Sequence, residues 1–325
     1  MVMANYNYKV SVIMPVYGVK DYIALSVESV CKQDFEDFEL ILVDDESPDN
    51  SIEIAKRVLS NYSNVKYKVL SQKNKGLPGA RNTGLREANG EFICYIDSDD
   101  IVTPDYLSAL YKACVAHGAQ AAFTEYEIVH LNNRMGNNNG DRGIKVLSCD
   151  ELLYNNMLRS IRIHLCAMMI SHDFINENSL YFNETLRFGE EVDYTWRMFP
   201  LLNKTCYIKS AKYKYLVRRG SLMTAQQAER VSFLLDNMHG VIKKMHSEGM
   251  LNNNRLKWVE YKIYFEKIHA FGGQSKYEDF KQLLRATSYK ERFSKLYDFP
   301  DRKIAMLARI GSFNIFMLWL IFRIV

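Results

Sequence analysis

The chain has 325 residues, 48% of them hydrophobic and 25% charged, with a formal net charge of +4. That length supplies one large domain or two moderate ones with a substantial core, and so mild a charge does not by itself imply nucleic acid. Cysteines at 31, 94, 114, 149, 166 and 206 never form a C-x-x-C pair, so reduced, buried thiols are expected rather than a zinc site or a disulfide framework. No basic start followed by an apolar stretch is present, and no secretory signal is expected.

"YKVSVIMPVYG" (8–18) is a β-branched apolar run stopped by Pro15 and Gly18, and predicts a buried first strand. "KDYIALSVESVCKQ" (20–33) puts Ile23, Val27 and Val30 on one helix face. "FELILVDDESPDNS" (38–51) predicts a second strand ending at Asp44 and Asp45, then a helix capped by Asp49, Asn50 or Ser51 and running through Ala55 and Leu59. "VKYKVLS" (65–71) predicts a third strand, and "GLPGARNTGLREANG" (76–90) a helix with Ala80, Leu85 and Ala88 as its stripe. "EFICYID" then returns the chain to the sheet.

Three strand–helix alternations predict an α/β domain with a mainly parallel sheet covered on both faces. Ligands of such sheets bind beyond the carboxyl ends of the strands, where Pro15 to Gly18, Asp44–Asp45 and Asp97 to Asp100 all fall. "FICYIDSDD" (92–100) drives a core strand straight into three carboxylates, a crowding that calls for a cation or a very wet loop. The first strand ends in "PVYG" rather than a G-x-G-x-x-G turn, which argues against a dinucleotide-binding fold.

Beyond Asp100, "TPDYLSALYKACVAHG" (103–118) predicts a helix with Thr103 as cap and Pro104 in its first turn. Asp100 is a second candidate cap for it. A strand over 119–129, a polar loop over 132–143, a helix over 150–160 and a short strand over 165–171 follow. "FGEEVDYTWRMFPLL" (188–202) again leads acids into an apolar helix, and "YKYLVRRGSLMT" (213–224) predicts a strand with a basic end. From Gln226 the pattern turns helical and basic. This predicts a first domain over 1–225 and a helical C-terminal region over 226–325.

"SVIMPVYG", "LILVDDESPDNS", "NKGLPGARNTGLREANGEFICYIDSDD" and "FGEEVDYTWR", in that order, make the chain resemble the inverting nucleotide-sugar glycosyltransferases of family 2. The resemblance covers residues 8 to 225 and implies a GT-A fold, a Rossmann-like sheet sandwiched by helices, here with a helical C-terminal extension. It also implies transfer of a hexosyl or N-acetylhexosaminyl group from a UDP-sugar to a saccharide hydroxyl, assisted by Mn²⁺ or Mg²⁺. Hard carboxylate ligands suit either ion, and the ion stabilises charge on the departing diphosphate.

Carried onto this chain, the resemblance implies Asp99 as the metal ligand, with Asp97 near the ribose or the metal. It sets Asp45 at the imide N–H of uracil, with Pro15 and Tyr17 alongside the base, although Tyr17 also reads as a wedge closing the sheet edge. Arg81 would reach the base and phosphate side of the nucleotide, where its planar fork suits phosphate oxygens. Asp44 would order its loop. Glu191 would be the general base toward the acceptor and Glu190 would position the acceptor or that loop, while Tyr194 and Trp196 read as core.

The chain departs from the family's pattern in three places. The family's usual Asp is replaced by Glu191, whose extra methylene moves the carboxylate by about an ångström. A Trp-x-Lys element is replaced by "CAMMIS". A histidine after the basic strand is missing, and Arg218, Arg219 and Ser221 are the candidates for diphosphate or acceptor contacts in its place. These departures leave room for an inactive glycosyltransferase-like binding or assembly partner. Nucleic-acid binding is not expected, since the basic residues lack interleaved aromatics.

The tail reads "DRKIAMLARIGSFNIFMLWLIFRIV". Its apolar run, Phe313 to Phe322, is too short to span a bilayer of about twenty residues' helical length. It predicts either a helix packed on the domain or one lying in the interface. In the second case Lys281, Arg285, Lys290, Arg292, Lys295, Arg302, Lys303 and Arg309 are available to anionic lipid. A cytoplasmic enzyme peripheral to the inner face of the cell membrane, acting on a polyprenyl-linked acceptor, is the corresponding expectation.

Overall fold

The computed structural model describes residues 6–130, 143–157, 161, 163–186, 189–217, 240, 243, 246–247, 249, 260, 263–265, 267–269, 271–273, 275–299 and 302–324. The chain divides into two compact units, Met1–Gly220 and Ser221–Val325.

The first unit opens with the expected alternation: β1 (Tyr8–Val16), α1 (Ile23–Cys31), β2 (Phe38–Asp44), α2 (Ser51–Leu59), β3 (Lys66–Ser71), α3 (Gly76–Arg86) and β4 (Gly90–Tyr95). β1 is buried at every position from Val10 to Val16, the continuous apolar pattern of a strand covered on both faces. Both of its neighbours run parallel to it, with Val16 opposite Asp44 on β2 and Ile13 opposite Tyr95 on β4. The chain therefore leaves β1 in one direction and returns through α3 on its other side. That reversal opens a crevice at the carboxyl ends of β1, β2 and β4.

α3 lies hard against this sheet. A Cβ at Gly84 would stand 2.4 Å from Ile13 Cγ2 and 3.2 Å from Val43 Cγ2, so only glycine permits the approach. The same closeness buries Arg81 and Asn82 one turn earlier.

Past β4 come β5 (Ile101–Val102), α4 (Tyr106–His117), β6 (Ala121–His130), β7 (Ile144–Ser148), α5 (Cys149–Met157), a 3₁₀ turn at Leu165–Ala167, β8 (Met168–Ser171), α6 (His172–Glu177), α7 (Glu190–Met198) and β9 (Lys204–Val217). The sheet order is β3-β2-β1-β4-β8-β6-β9-β5, with β7 also on β9. Parallel pairing holds from β3 to β4 and again between β6 and β9, whereas β8, β5 and β7 pair antiparallel. The whole is a mixed α/β sheet flanked by helices, with its parallel half at the N-terminal side.

Several local expectations change. β9 begins at Lys204 rather than 213, because "KTCYIKSAK" alternates buried and exposed positions too irregularly to read as a strand in sequence. α4 starts at Tyr106, and Thr103 donates its hydroxyl to Asp105 Oδ1 (2.7 Å) instead of capping the helix. Asp100 does not cap it either, since its carboxylate turns inward to β9. At α2 the side chain that receives the Ser51 N–H is Asp49 (3.0 Å). The loop expected over 132–143 lies outside the described residues except for Gly143. None of the six cysteines is in a disulfide.

The second unit contains α8 (Tyr277–Ala286), α9 (Tyr289–Ser294), α10 (Arg302–Phe313) and α11 (Ile315–Ile324). Phe280, Leu284, Phe293, Leu296, Leu318 and Phe322 form its core. No described helix is long and apolar enough to cross a membrane.

Candidate active site

The crevice has two corners. In the first, the loops after β1 and β2 are laced together. Gly18 N–H donates to Ser47 Oγ (3.0 Å), Val19 N–H to Ser51 Oγ (3.1 Å) and Lys20 N–H to Asp49 Oδ2 (3.1 Å). Asp44 Oδ1 accepts from Ser47 N–H (2.9 Å), which orders the same loop. Asp45 is 3% exposed, and its Oδ1 accepts from Gln72 Nε2 (2.7 Å) and from the Lys75 N–H (2.8 Å). Both contacts use one oxygen and leave Oδ2 on the other side of the carboxylate. Pro15 is buried at the end of β1, and Tyr17 just beyond it is 52% exposed.

The second corner is a knot of charge around Arg81. Its guanidinium is fully buried, and Nη2 donates to Asp97 Oδ1 (2.8 Å) and to Glu191 Oε1 (2.7 Å), with Cys166 Sγ at 3.5 Å. Nη1 faces Glu190 Oε1 at 3.8 Å, and Phe182 lies under the guanidinium at 5.3 Å. Burial pushes the Asp97 carboxyl up, but the charge of Arg81 and its hydrogen bond outweigh it and hold Asp97 below the usual range. Glu190 is raised, because burial outweighs the attraction of Arg81.

The chain brings Glu191 to this place through Gly189, whose φ of +76° turns the backbone into α7 in a conformation side chains disfavour. Glu190, Glu191 and Asp193 then occupy the first helical turn, where the helix dipole favours negative charge. Tyr194 and Trp196 are buried as expected, and Tyr194 stacks on Phe182 at 4.2 Å while Tyr95 of β4 meets both rings edge-on.

Asp97, Asp99 and Asp100 approach one another closely enough for one ion to meet all three, as do Asp97, Cys166 and Glu191. The second group is already occupied by the Arg81 guanidinium, so the first is the candidate metal centre. Within it Asp100 is buried and accepts from the Tyr213 hydroxyl and from Leu216 N–H (2.8 Å). Burial, then the charges of Asp97 and Asp99, push its carboxyl up to about 8. What recommends a cation is the geometry: three carboxyl groups within reach of one ion supply the hard oxygen donors that a divalent cation takes.

His164 was not singled out in the sequence. Its Nδ1 accepts from Cys166 N–H (3.2 Å), which leaves Nε2 to carry the ring N–H, and Nε2 faces Glu191 Oε2 at 3.8 Å. The ring stacks on Tyr213 at 5.4 Å. No spacing rule links His164 to Glu191, and only the fold reveals the pair. Arg218, Arg219 and Ser221 lie outside the described residues.

A model of glycosyl transferase family 2 matches residues 11–186, which include both corners up to Cys166 and His164. The chain belongs to this family. It is 29% identical over 250 residues to glycosyltransferase GlyA of Streptococcus pneumoniae, covering 74% of this chain and 35% of GlyA. Over 177 residues it is 30% identical to the Escherichia coli UDP-Glc:alpha-D-GlcNAc-diphosphoundecaprenol beta-1,3-glucosyltransferase WfgD, covering 54% of this chain and 65% of WfgD. The chain thus spans less than two thirds of the length of either relative. Residues 1–349 of Staphylococcus aureus TarS in complex with UDP-GlcNAc superpose with a TM-score of 0.68 at 20% identity, covering 94% of this chain and 92% of that one. That likeness establishes the GT-A fold of the family member described here.

Proposed function

We propose that this chain is an inverting glycosyltransferase that moves a hexosyl or N-acetylhexosaminyl group from a UDP-sugar to a hydroxyl of a saccharide acceptor. The observation that carries the reading is Arg81, whose one nitrogen joins Asp97 of the candidate metal centre to Glu191 at the head of α7. Donor-side and acceptor-side carboxylates are thereby held in fixed register, as a single displacement at one carbon requires.

In that displacement the acceptor oxygen attacks the anomeric carbon while its proton passes to Glu191. The bond from that carbon to the diphosphate oxygen breaks, and the electron pair leaves with UDP. Inversion follows from one in-line attack, with no protein nucleophile. Glu191 acts as base through Oε2, since Oε1 is taken by Arg81. Arg81 is assigned to positioning these carboxylates rather than to the diphosphate, because its guanidinium is enclosed. Glu190 is assigned to the acceptor side. Asp45 offers Oδ2 to the uracil imide, Pro15 and Tyr17 line the base, and Asp97 meets the ribose. Asp99, with Asp97, would hold Mn²⁺ or Mg²⁺, which neutralises charge on the leaving diphosphate when bound.

The names of two similar proteins support the substrate classes. TarS is described with UDP-GlcNAc, and WfgD is named for a UDP-glucose donor and a diphosphoundecaprenol-borne acceptor. We carry both over as a UDP-hexose or UDP-N-acetylhexosamine donor and a polyprenyl-linked glycan acceptor. Such carriers sit in membranes, so the proposed place of action is the cytoplasmic face of the cell membrane.

The test is turnover of a panel of UDP-hexoses and UDP-N-acetylhexosamines with Mn²⁺ present, against the same panel with chelator and against Asp99→Asn. Metal-dependent release of UDP that disappears in Asp99→Asn is expected. UDP binding without turnover of any donor, with either ion, would instead make the chain a binding or assembly partner.

A further inference from the structure

The second unit carries an apolar surface that its core leaves largely exposed, with Phe316 meeting Tyr277 edge-on at 5.1 Å at its margin. α11 buries Leu318 beside Gly311 and Phe322 against Phe265 and Phe280, and Trp319 Nε1 donates to the Ser275 carbonyl (3.1 Å). Those contacts fix the helix and determine which side faces out. Phe316 (46% exposed), Met317 (51%) and Leu320 (38%) lie on that outer side at helical spacing, and Phe313, 89% exposed, stands at the elbow where α10 ends. Asn314 makes the elbow rigid: its N–H donates to the Ile310 carbonyl (2.8 Å) and its Oδ1 accepts from Met317 N–H (3.0 Å).

Charge flanks this surface on both sides. Arg309 precedes Phe313 by one turn and lies over Tyr297, 3.8 Å from Asp298, while Arg323 follows Leu320 by three residues and lies over Trp319. Arg302 and Lys303 are exposed at the start of α10. From Arg302 to Val325 the chain holds four cations and no Asp or Glu.

We propose that the Phe313–Phe316–Met317–Leu320 face docks on an anionic lipid bilayer, with the aromatic and aliphatic side chains entering the headgroup boundary and Arg309 and Arg323 reaching phosphates. Two considerations select lipid. The exposed side chains are aromatic and aliphatic and are bracketed by Arg309 and Arg323, the pattern of a helix lying in a headgroup boundary. A second copy of this face would set Arg309 and Arg323 against the same two cations, which opposes self-association there. The proposal goes beyond the transfer reading and is independent of it, because docking involves neither donor nor metal.

The experiment is flotation of the full chain with phosphatidylcholine vesicles and with vesicles that also contain phosphatidylglycerol, at low and high salt. Binding to the anionic vesicles only, weakened by salt, is expected. The double variant Phe313→Ser/Phe316→Ser should bind at least ten-fold more weakly. Arg309→Gln/Arg323→Gln should lose about five-fold per cation and most of the salt dependence. All four side chains are exposed, and unchanged unfolding curves and UDP affinity verify the variants. Absence of binding to anionic vesicles, or binding that both double variants leave intact, overturns the proposal. So does an oligomer, seen by light scattering, that the Phe variant alone dissolves, since the face then belongs to a second copy.

Discussion

Arg81 and Glu191 are 110 residues apart in the chain and meet at 2.7 Å between Nη2 and Oε1, inside a site where Arg81 is fully buried. Because the same nitrogen also binds Asp97, the helix that packs on β1 and β2 sets the distance between the two halves of the crevice.

Removing that guanidinium leaves Asp97, Glu190 and Glu191 close together without their cation. Arg81→Gln is expected to destabilise the first unit by about 3 kcal/mol, as for a buried ion pair that loses one partner. Arg81→Lys should recover much of the stability but not the transfer rate, since a point charge cannot hold two carboxylates as the planar fork does. Urea unfolding and initial rates on both variants measure the two effects. Wild-type stability in Arg81→Gln would show that Arg81 does not organise the knot.

Glu191→Gln should lower transfer by about 10²-fold or more, the loss of a general base, with UDP-sugar affinity nearly unchanged. Glu191→Asp should also be impaired, because the shorter side chain draws its carboxylate away from Arg81. Glu190→Gln should be milder. Initial rates at saturating donor and acceptor, with donor binding measured in parallel, distinguish these outcomes. A dead Glu190→Gln beside a nearly normal Glu191→Gln would exchange the two roles.

His164 presents Nε2–H toward Glu191 Oε2, so its expected effect is on orientation of the base. His164→Leu should reduce kcat about ten-fold and leave the KM for donor unchanged. His164→Gln should recover most of kcat, since the amide N–H can reach the position of Nε2. A KM effect alone, or equal loss in both variants, would make His164 a packing residue only.

Asp45 gives Oδ1 to Gln72 and Lys75, so Asp45→Asn can preserve the loop while removing the charge offered at Oδ2. UDP affinity is expected to fall by about 1–3 kcal/mol and CDP affinity to change little. Calorimetry with the two nucleotides supplies the comparison. Equal affinity of the unaltered chain for UDP and CDP would remove Asp45 from base recognition.

The parallel half of the fold was legible because β1, β2 and β4 are short, largely apolar runs that end close to Pro15, Asp44 and Asp97. A residue's place in the crevice was legible wherever it followed such a run. Arg81 was harder: charged helix residues ordinarily face solvent or ligand, whereas α3 buries nearly its whole circumference and takes Arg81 inside. β9 was partly hidden because its register slips opposite Thr124 and Glu125, which breaks the period of two. His164 carried no local signal at all, since its partner arrives on a helix 27 positions later.

Asp100 gives the site a pH signature. Its carboxyl is raised from 3.8 to about 8, first by burial and then by Asp97 and Asp99, while it accepts from Tyr213 and Leu216. Between those values the unfolded chain has lost the proton and the native chain retains it. The native state binds more protons, so this group's contribution to stability falls as pH rises from about 4 to about 8. Asp100→Asn has no proton to lose and can still accept from Leu216 N–H. Its stability relative to the unaltered chain should therefore rise with pH across that window, in chelator. Adding Mn²⁺ or Mg²⁺ should shrink the difference, because a cation beside Asp97 and Asp99 favours the ionised carboxylate. Denaturant unfolding at a series of pH values, with and without the ion, is the measurement. Parallel curves for both proteins in chelator would mean that Asp100 is already ionised in the fold and that neither burial nor its neighbours hold its proton.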